Sequence, residues 1–129
     1  MVEFVPFELK VHKEEYRQLN IELITWIADQ LREYYQIDVV SLVGQTISTY
    51  VDDHLGDLTR LHPPDGIIYL LVVDGEIAGM GGLRKLRGDR GEIKRMYVRP
   101  TYQRTRLWKT TAQHIIRSRQ SVWMCLLLA

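Results

Sequence analysis

The stretch Gly91–Gln103, GEIKRMYVRPTYQ, decides how this chain is read. Glu92–Val98 reads as a strand, with the turn Arg87-Gly88-Asp89-Arg90-Gly91 before it and Pro100 as its stop. Strict alternation would place Ile93 and Arg95 on one face and Met96 and Val98 on the other. Ile93, Met96 and Val98 share a face only if one extra residue intervenes near Lys94–Arg95, which is the signature of a β-bulge. A strand buried on both faces is the alternative and needs no bulge. Immediately after Gln103 the chain runs Arg104-Thr105-Arg106-Leu107-Trp108-Lys109, bulky and basic, with no glycine.

Upstream, the pattern is regular. Residues 2–10 alternate loosely and predict a first strand. Tyr16, Leu19, Leu23, Ile27 and Leu31 fall at helical spacing within residues 13–35. A second helix is expected from about Ser41, a plausible N-cap, through Val43, Ile47, Tyr50, Val51, Leu55 and Leu58. His62-Pro63-Pro64-Asp65-Gly66 ends it. Ile67–Val73 is an apolar, β-branched run. Asp74-Gly75 predicts a two-residue type I′ hairpin leading into the partner strand Glu76–Leu86. The order is β-α-α-β-β-β in one α+β domain, residues 1–129, with 104–129 an atypical tail.

At 129 residues the chain is long enough for a real core, and 46% apolar with 26% charged residues is ordinary for a globular protein. A net charge of +1 gives no reason to expect a nucleic acid or an anionic membrane as partner. Cys125 is the lone cysteine, so an intramolecular disulfide is excluded. It lies in an apolar run and reads as an inert buried thiol. No transmembrane run or signal peptide is read, and cytoplasm is the expectation. His12, His54, His62 and His114 lack metal-ligand spacing, and no Walker or Rossmann motif is present. The average charge hides a shift. Residues 1–103 hold all 16 acidic residues against 12 Lys and Arg, a net −4. The last 26 residues hold five basic residues and neither an acidic residue nor a glycine.

Two segments at this spacing, Gly75-Glu76-Ile77-Ala78-Gly79 and Gly91–Pro100, resemble the hairpin and fourth strand of the GCN5-related N-acetyltransferases (GNAT superfamily). The resemblance covers residues 1–103 and implies the acyl-CoA N-acyltransferase fold, β-α-α-β-β-β-α(-β), incomplete at the C-terminus. It implies acetyl transfer from acetyl-CoA to a primary amine by direct attack in a ternary complex. Backbone groups of Met96, Tyr97 and Val98 would hold the pantetheine arm. Gln103, Arg104, Thr105, Arg106, Leu107, Trp108 and Lys109 stand where the family places its pyrophosphate loop. Glu92 stands where relatives keep a general base; the other reading of Glu92 is a solvated glutamate pairing with Lys94 or Arg95. Asp52, Asp53 and Asp57 read either as a lure for an amine or as the wet face of the second helix.

The family's loop runs Gln/Arg-x-x-Gly-x-Gly/Ala, because glycine amides at a helix start cradle the pyrophosphate. Here the glycines are missing. Read one nucleotide out of frame from codon 104, the tail can encode QGHGYGK followed by an amphipathic helix. The single Trp codon followed by Lys forces the glycine after the tyrosine. The tail therefore reads as a frameshift of a family gene. In the recorded frame, Leu107–Arg119 could be helical and Ser121–Leu128 could add as a buried strand. The family continues past residue 129 with further elements, including a tyrosine that often serves as general acid. Expected partners are a small-molecule or peptide amine acceptor, with a homodimer left open. A catalytically inactive module working through protein contacts, and a product without function, are the competing readings.

Overall fold

The computed structural model describes residues 2–60, 65–86, 90–103 and 123–126. A five-stranded sheet, ordered β1-β2-β3-β4-β5, carries the architecture. Strand β1 (Val2–Pro6) pairs antiparallel with β2 (Gly66–Val73), and β2 with β3 (Glu76–Lys85). Strand β3 pairs antiparallel with β4 (Arg90–Val98), and β4 pairs parallel with β5 (Trp123–Leu126). The α+β reading holds, and so does the order of the strands; the helices between β1 and β2 differ from the expectation.

The first strand is shorter than the expected 2–10, and the first helix correspondingly longer than 13–35. Pro6, which cannot donate to a ladder, closes β1 at the sheet edge. Helix α1 then runs Leu9–Tyr35. Its start is fixed by the His12 ring, whose Nδ1 accepts the Glu8 N–H at 2.9 Å, while the His12 N–H donates to the Glu8 carbonyl at 2.8 Å. Tyr16, Leu19 and Leu23, on one stripe of α1, are buried. The helix ends on Gln36 in the left-handed conformation. The Gln36 and Ile37 N–H groups there return to the carbonyls of Arg32 and Leu31.

The single helix expected from Ser41 is instead two. Helix α2 (Val39–Val43) is capped by Asp38, which accepts the Ser41 N–H at 3.2 Å and its hydroxyl at 2.8 Å. Ser41 is thus a partner of the cap rather than the cap. Gly44 at φ +77° stops α2, and Thr46 caps α3 (Ile47–Leu58) by accepting the Thr49 N–H.

Asp74 (φ +50°) and Gly75 (φ +83°) both adopt the left-handed conformation a type I′ turn requires, with Val73 opposite Glu76. In the next pair, Met80 faces Tyr97 and Gly82 faces Lys94, so Arg95 and Met96 oppose Gly81 alone. This is the predicted bulge, and Arg95 sits in it at φ +52°. Gly79 lets the two strands meet here: a side chain on it would run into the carbonyl of Tyr97 and the Cα of Val98.

The sheet buries both faces. On the side of α1 and α3, Tyr16, Leu19, Leu23 and Val51 meet Ile68, Leu70, Met80 and Tyr97. On the other side, Ile93 joins Tyr69 and Leu83 with Met96 against them, and Val98 joins Leu71 and Ala78. Ile93, Met96 and Val98 therefore do share a face, as the bulge requires. Each fully buried leucine contributes roughly 1.5–3 kcal/mol by leaving water. Among the described residues, no helix is long and apolar enough to cross a membrane. The expected helix over Leu107–Arg119 lies outside the described residues. Within the apolar run 121–128, Trp123–Leu126 forms β5.

Candidate active site

The bulge re-aims β4 halfway along its length. Before it, β4 is a paired inner strand: Arg90–Ile93 lie opposite Trp123–Leu126 of β5. Beyond Ile93, no β5 partner stands beside β4 among the described residues. Tyr97 and Val98 remain bound to Met80 and Gly79 on the β3 side. Among the described residues, the edge of β4 from Lys94 to Val98 thus has no strand on its β5 side.

The three residues expected to line a pantetheine arm are all on this segment. Tyr97 is buried against α1, and its hydroxyl donates to Glu22 Oε1 at 3.4 Å. Burial first, and then the Glu22 charge, push the Tyr97 phenol above its usual range. Met96 and Val98 point to the opposite face. Just after the strand, the Arg99 guanidinium takes both oxygens of Glu22 and the Ile77 carbonyl, at 3.0–3.1 Å. This clamps the end of β4 to α1 and β3. The short helix α4 (Pro100–Gln103) follows, and Gln103 lies on it. Arg104–Lys109, the rest of the expected pyrophosphate loop, lie outside the described residues.

Glu92 is not a solvated hairpin glutamate. Its side chain is 8% exposed, and Arg84 Nη2 donates to its Oε2 at 3.1 Å. Lys94 Nζ lies 3.4 Å from Oε1, close enough for charge attraction but without hydrogen-bond geometry, so Oε1 has no hydrogen-bond partner among the described residues. The pairing with Lys94 was anticipated. The pairing with Arg84 was not, because it depends on the register across the turn between β3 and β4, which places Arg84 opposite Glu92. Counting back through that turn was the available signal.

Arg84 and Lys94 also line a cavity of about 560 Å³ on the α1–α3 side of the sheet. Tyr16 and Ile68 form part of its wall, and Gly82 keeps the β3 side low. Burial raises the Tyr16 phenol above its usual range, opposed by the nearby Arg95 charge. Of the acidic trio on α3, only Asp57 is on this wall, and it pairs with Arg60 at 2.9 Å. Asp52 is held by Arg17 at 2.6 Å, and Asp53 accepts from Gln45 at 2.6 Å. The trio is not gathered in one place. Among the described residues, no group of three or more His, Cys, Asp or Glu is placed to hold a metal ion.

Solved structures that share this fold include acetyltransferases. A GNAT-family acetyltransferase of Staphylococcus aureus Mu50 superposes with a TM-score of 0.64 at 16% identity, over 93% of this chain and 67% of its own. The PaiA N-acetyltransferase of Thermoplasma acidophilum, solved with coenzyme A, gives 0.64 at 15%, over 99% and 79%. The chain belongs to the Acetyltransferase (GNAT) family, whose profile it matches over residues 21–121. It is also 30% identical over 94 residues to YsnE of Bacillus subtilis strain 168, an uncharacterized N-acetyltransferase. The matched region is 62% of each protein, so the chain spans under two thirds of that relative's length.

Proposed function

We propose that the chain is built for N-acetyl transfer from acetyl-CoA to a primary amine by direct attack in a ternary complex. The observation that carries this is the edge of β4 beyond the bulge: Arg95 breaks the ladder, and among the described residues β5 pairs with β4 up to Ile93 and nothing pairs with its β5 side beyond. An extended amide-bearing arm can add to such an edge as a further strand. Pantetheine is such an arm, and Met96–Val98 supply the backbone groups. The amine nitrogen attacks the thioester carbonyl carbon, the C–S bond breaks, and the thiolate leaves with its electron pair. Glu92 receives the ammonium proton through water, the accepting atom being Oε1, which lies beside Lys94 and has no hydrogen-bond partner among the described residues.

Gln103–Lys109 take the place of the pyrophosphate loop. Arg104, Arg106 and Lys109 bring charge, but side-chain cations do not replace a nest of glycine amides. Acetyl-CoA is therefore expected to bind this chain weakly, and low-micromolar affinity by calorimetry on protein of verified mass would refute that. The missing glycines favour a second reading, a catalytically inactive module acting through protein contacts. They equally fit a frameshift at codon 104. Sequencing the coding DNA there separates the two.

A further inference from the structure

Among the described residues, the cavity beside Glu92 is lined by more cations than acids. Arg60, Arg84, Lys85, Lys94 and Arg95 face it. Among the described residues, the acids on its wall are Asp57, already engaged by Arg60, and Asp65. Glu92 lies beneath the wall and fixes two of the cations, Arg84 and Lys94, in place. Lys85 and Arg95 have no acidic partner within ion-pair distance among the described residues.

Arg95 carries the argument furthest. A left-handed conformation is costly for a residue with a side chain, and a glycine or asparagine would serve a bulge better. The bulge instead turns an arginine into the cavity, next to Tyr16. A concave wall carrying one sign of charge focuses its field on a ligand of the other sign. A guanidinium offers a planar fork matched to a carboxylate or phosphate. A bare amine or polyamine is the wrong ligand for such a wall.

We propose that the acceptor in this cavity carries an oxyanion, carboxylate or phosphate, beside its amine, held by Arg95 with Lys94 and Arg84. This rests on the acetyltransferase reading for the acceptor's role, but its binding test does not require acetyl transfer. The full chain is titrated calorimetrically with ethanolamine, β-alanine and phosphoethanolamine. These three amines bear no anion, a carboxylate and a phosphate respectively. One or both anionic amines should bind at least about tenfold tighter than ethanolamine, and high salt should erase the difference. The tighter of the two names the oxyanion. Arg95→Asn keeps a residue suited to the bulge and removes the charge. It should abolish the preference with the melting temperature unchanged. Equal binding of all three, binding of none, or displacement of phosphoethanolamine by coenzyme A overturns the assignment. In parallel acetylation assays with acetyl-CoA at saturating concentration, on the full chain and on the chain with the loop restored, a preference in binding with no transfer to any amine sinks the acetyltransferase reading and leaves this one standing. Transfer to ethanolamine as fast as to phosphoethanolamine does the reverse.

Discussion

Arg99 grips Glu22 through both carboxylate oxygens, Nε to Oε1 at 3.1 Å and Nη2 to Oε2 at 3.0 Å, and its third nitrogen holds the Ile77 carbonyl at 3.0 Å. One side chain thus joins the end of β4 to α1 and to β3. Both partners are partly shielded, with side chains 30% and 26% exposed, so the pair is worth more than a surface ion pair but less than a buried one. Arg99→Ala should cost about 1–2 kcal/mol in urea unfolding. Arg99→Lys keeps the charge, loses the fork and should recover less than half. A loss within experimental error for Arg99→Ala would show that the clamp follows the fold rather than supporting it.

Two glycines separate close approach from mere flexibility. Gly79 has the Tyr97 carbonyl where a side chain would start, whereas Gly56, within α3, has open space. Gly79→Ala must push β3 and β4 apart at the bulge and should destabilise by about 1–3 kcal/mol. Gly56→Ala should stabilise by about 0.5–1 kcal/mol through helix propensity alone. Thermal unfolding that ranks the two the other way would remove Gly79 from the account of how the bulge is held.

What was legible from residue order was local. Asp74-Gly75 announces its turn, the helical stripe of Tyr16, Leu19 and Leu23 announces a buried face, and the misfit of Ile93, Met96 and Val98 announces the bulge. What escaped was set by distant partners. Glu22 and Arg99 are 77 positions apart, and nothing in either segment marks the other. Arg84 meets Glu92 only through the strand register. The break at Gly44 escaped because the apolar spacing of Val43 and Ile47 continues a helix, while Asp38 and Thr46 each cap one. The cavity's basic wall is assembled from Arg60 just after α3, from β3 and from β4, so no single stretch of sequence displays it.

Stability should fall at both ends of the pH range, for opposite reasons. Hydrogen bonding to Arg17 holds the Asp52 carboxyl below its ordinary value, and hydrogen bonding to Ser41 does the same for Asp38. Groups lowered in the folded state stabilise it above the unfolded carboxylate pKa of about 4, and that gain is lost as pH falls through their folded values. Burial raises Tyr16 and Tyr97. Their contribution is complete below the unfolded tyrosine pKa of about 10 and is lost as pH rises through the folded values. Unfolding followed across pH should show both limbs. Asp52→Asn should flatten the acid limb and leave the alkaline one in place, and an acid limb unchanged by that substitution would exclude the Arg17 pair as its source.

Removing one nucleotide at codon 104 should restore the loop QGHGYGK after Gln103. Its glycine amides, at a helix N-terminus, can then meet the pyrophosphate. Acetyl-CoA should bind the repaired protein, and an amine in a panel should be acetylated. In that protein, Glu92→Gln tests the role of the buried carboxylate. Gln keeps the shape and removes the proton acceptor beneath Arg84 and Lys94. If Glu92 receives the proton, kcat should fall by ~10²–10⁴-fold with acetyl-CoA affinity unchanged. If Glu92 serves only to hold Arg84 and Lys94 toward the cavity, the acceptor's KM should rise while kcat holds. A repaired protein that binds acetyl-CoA and retains full kcat after Glu92→Gln removes Glu92 from the chemistry. A coding sequence whose shifted frame lacks the glycines removes the frameshift, and leaves Arg104–Lys109 as this chain's own departure from its family.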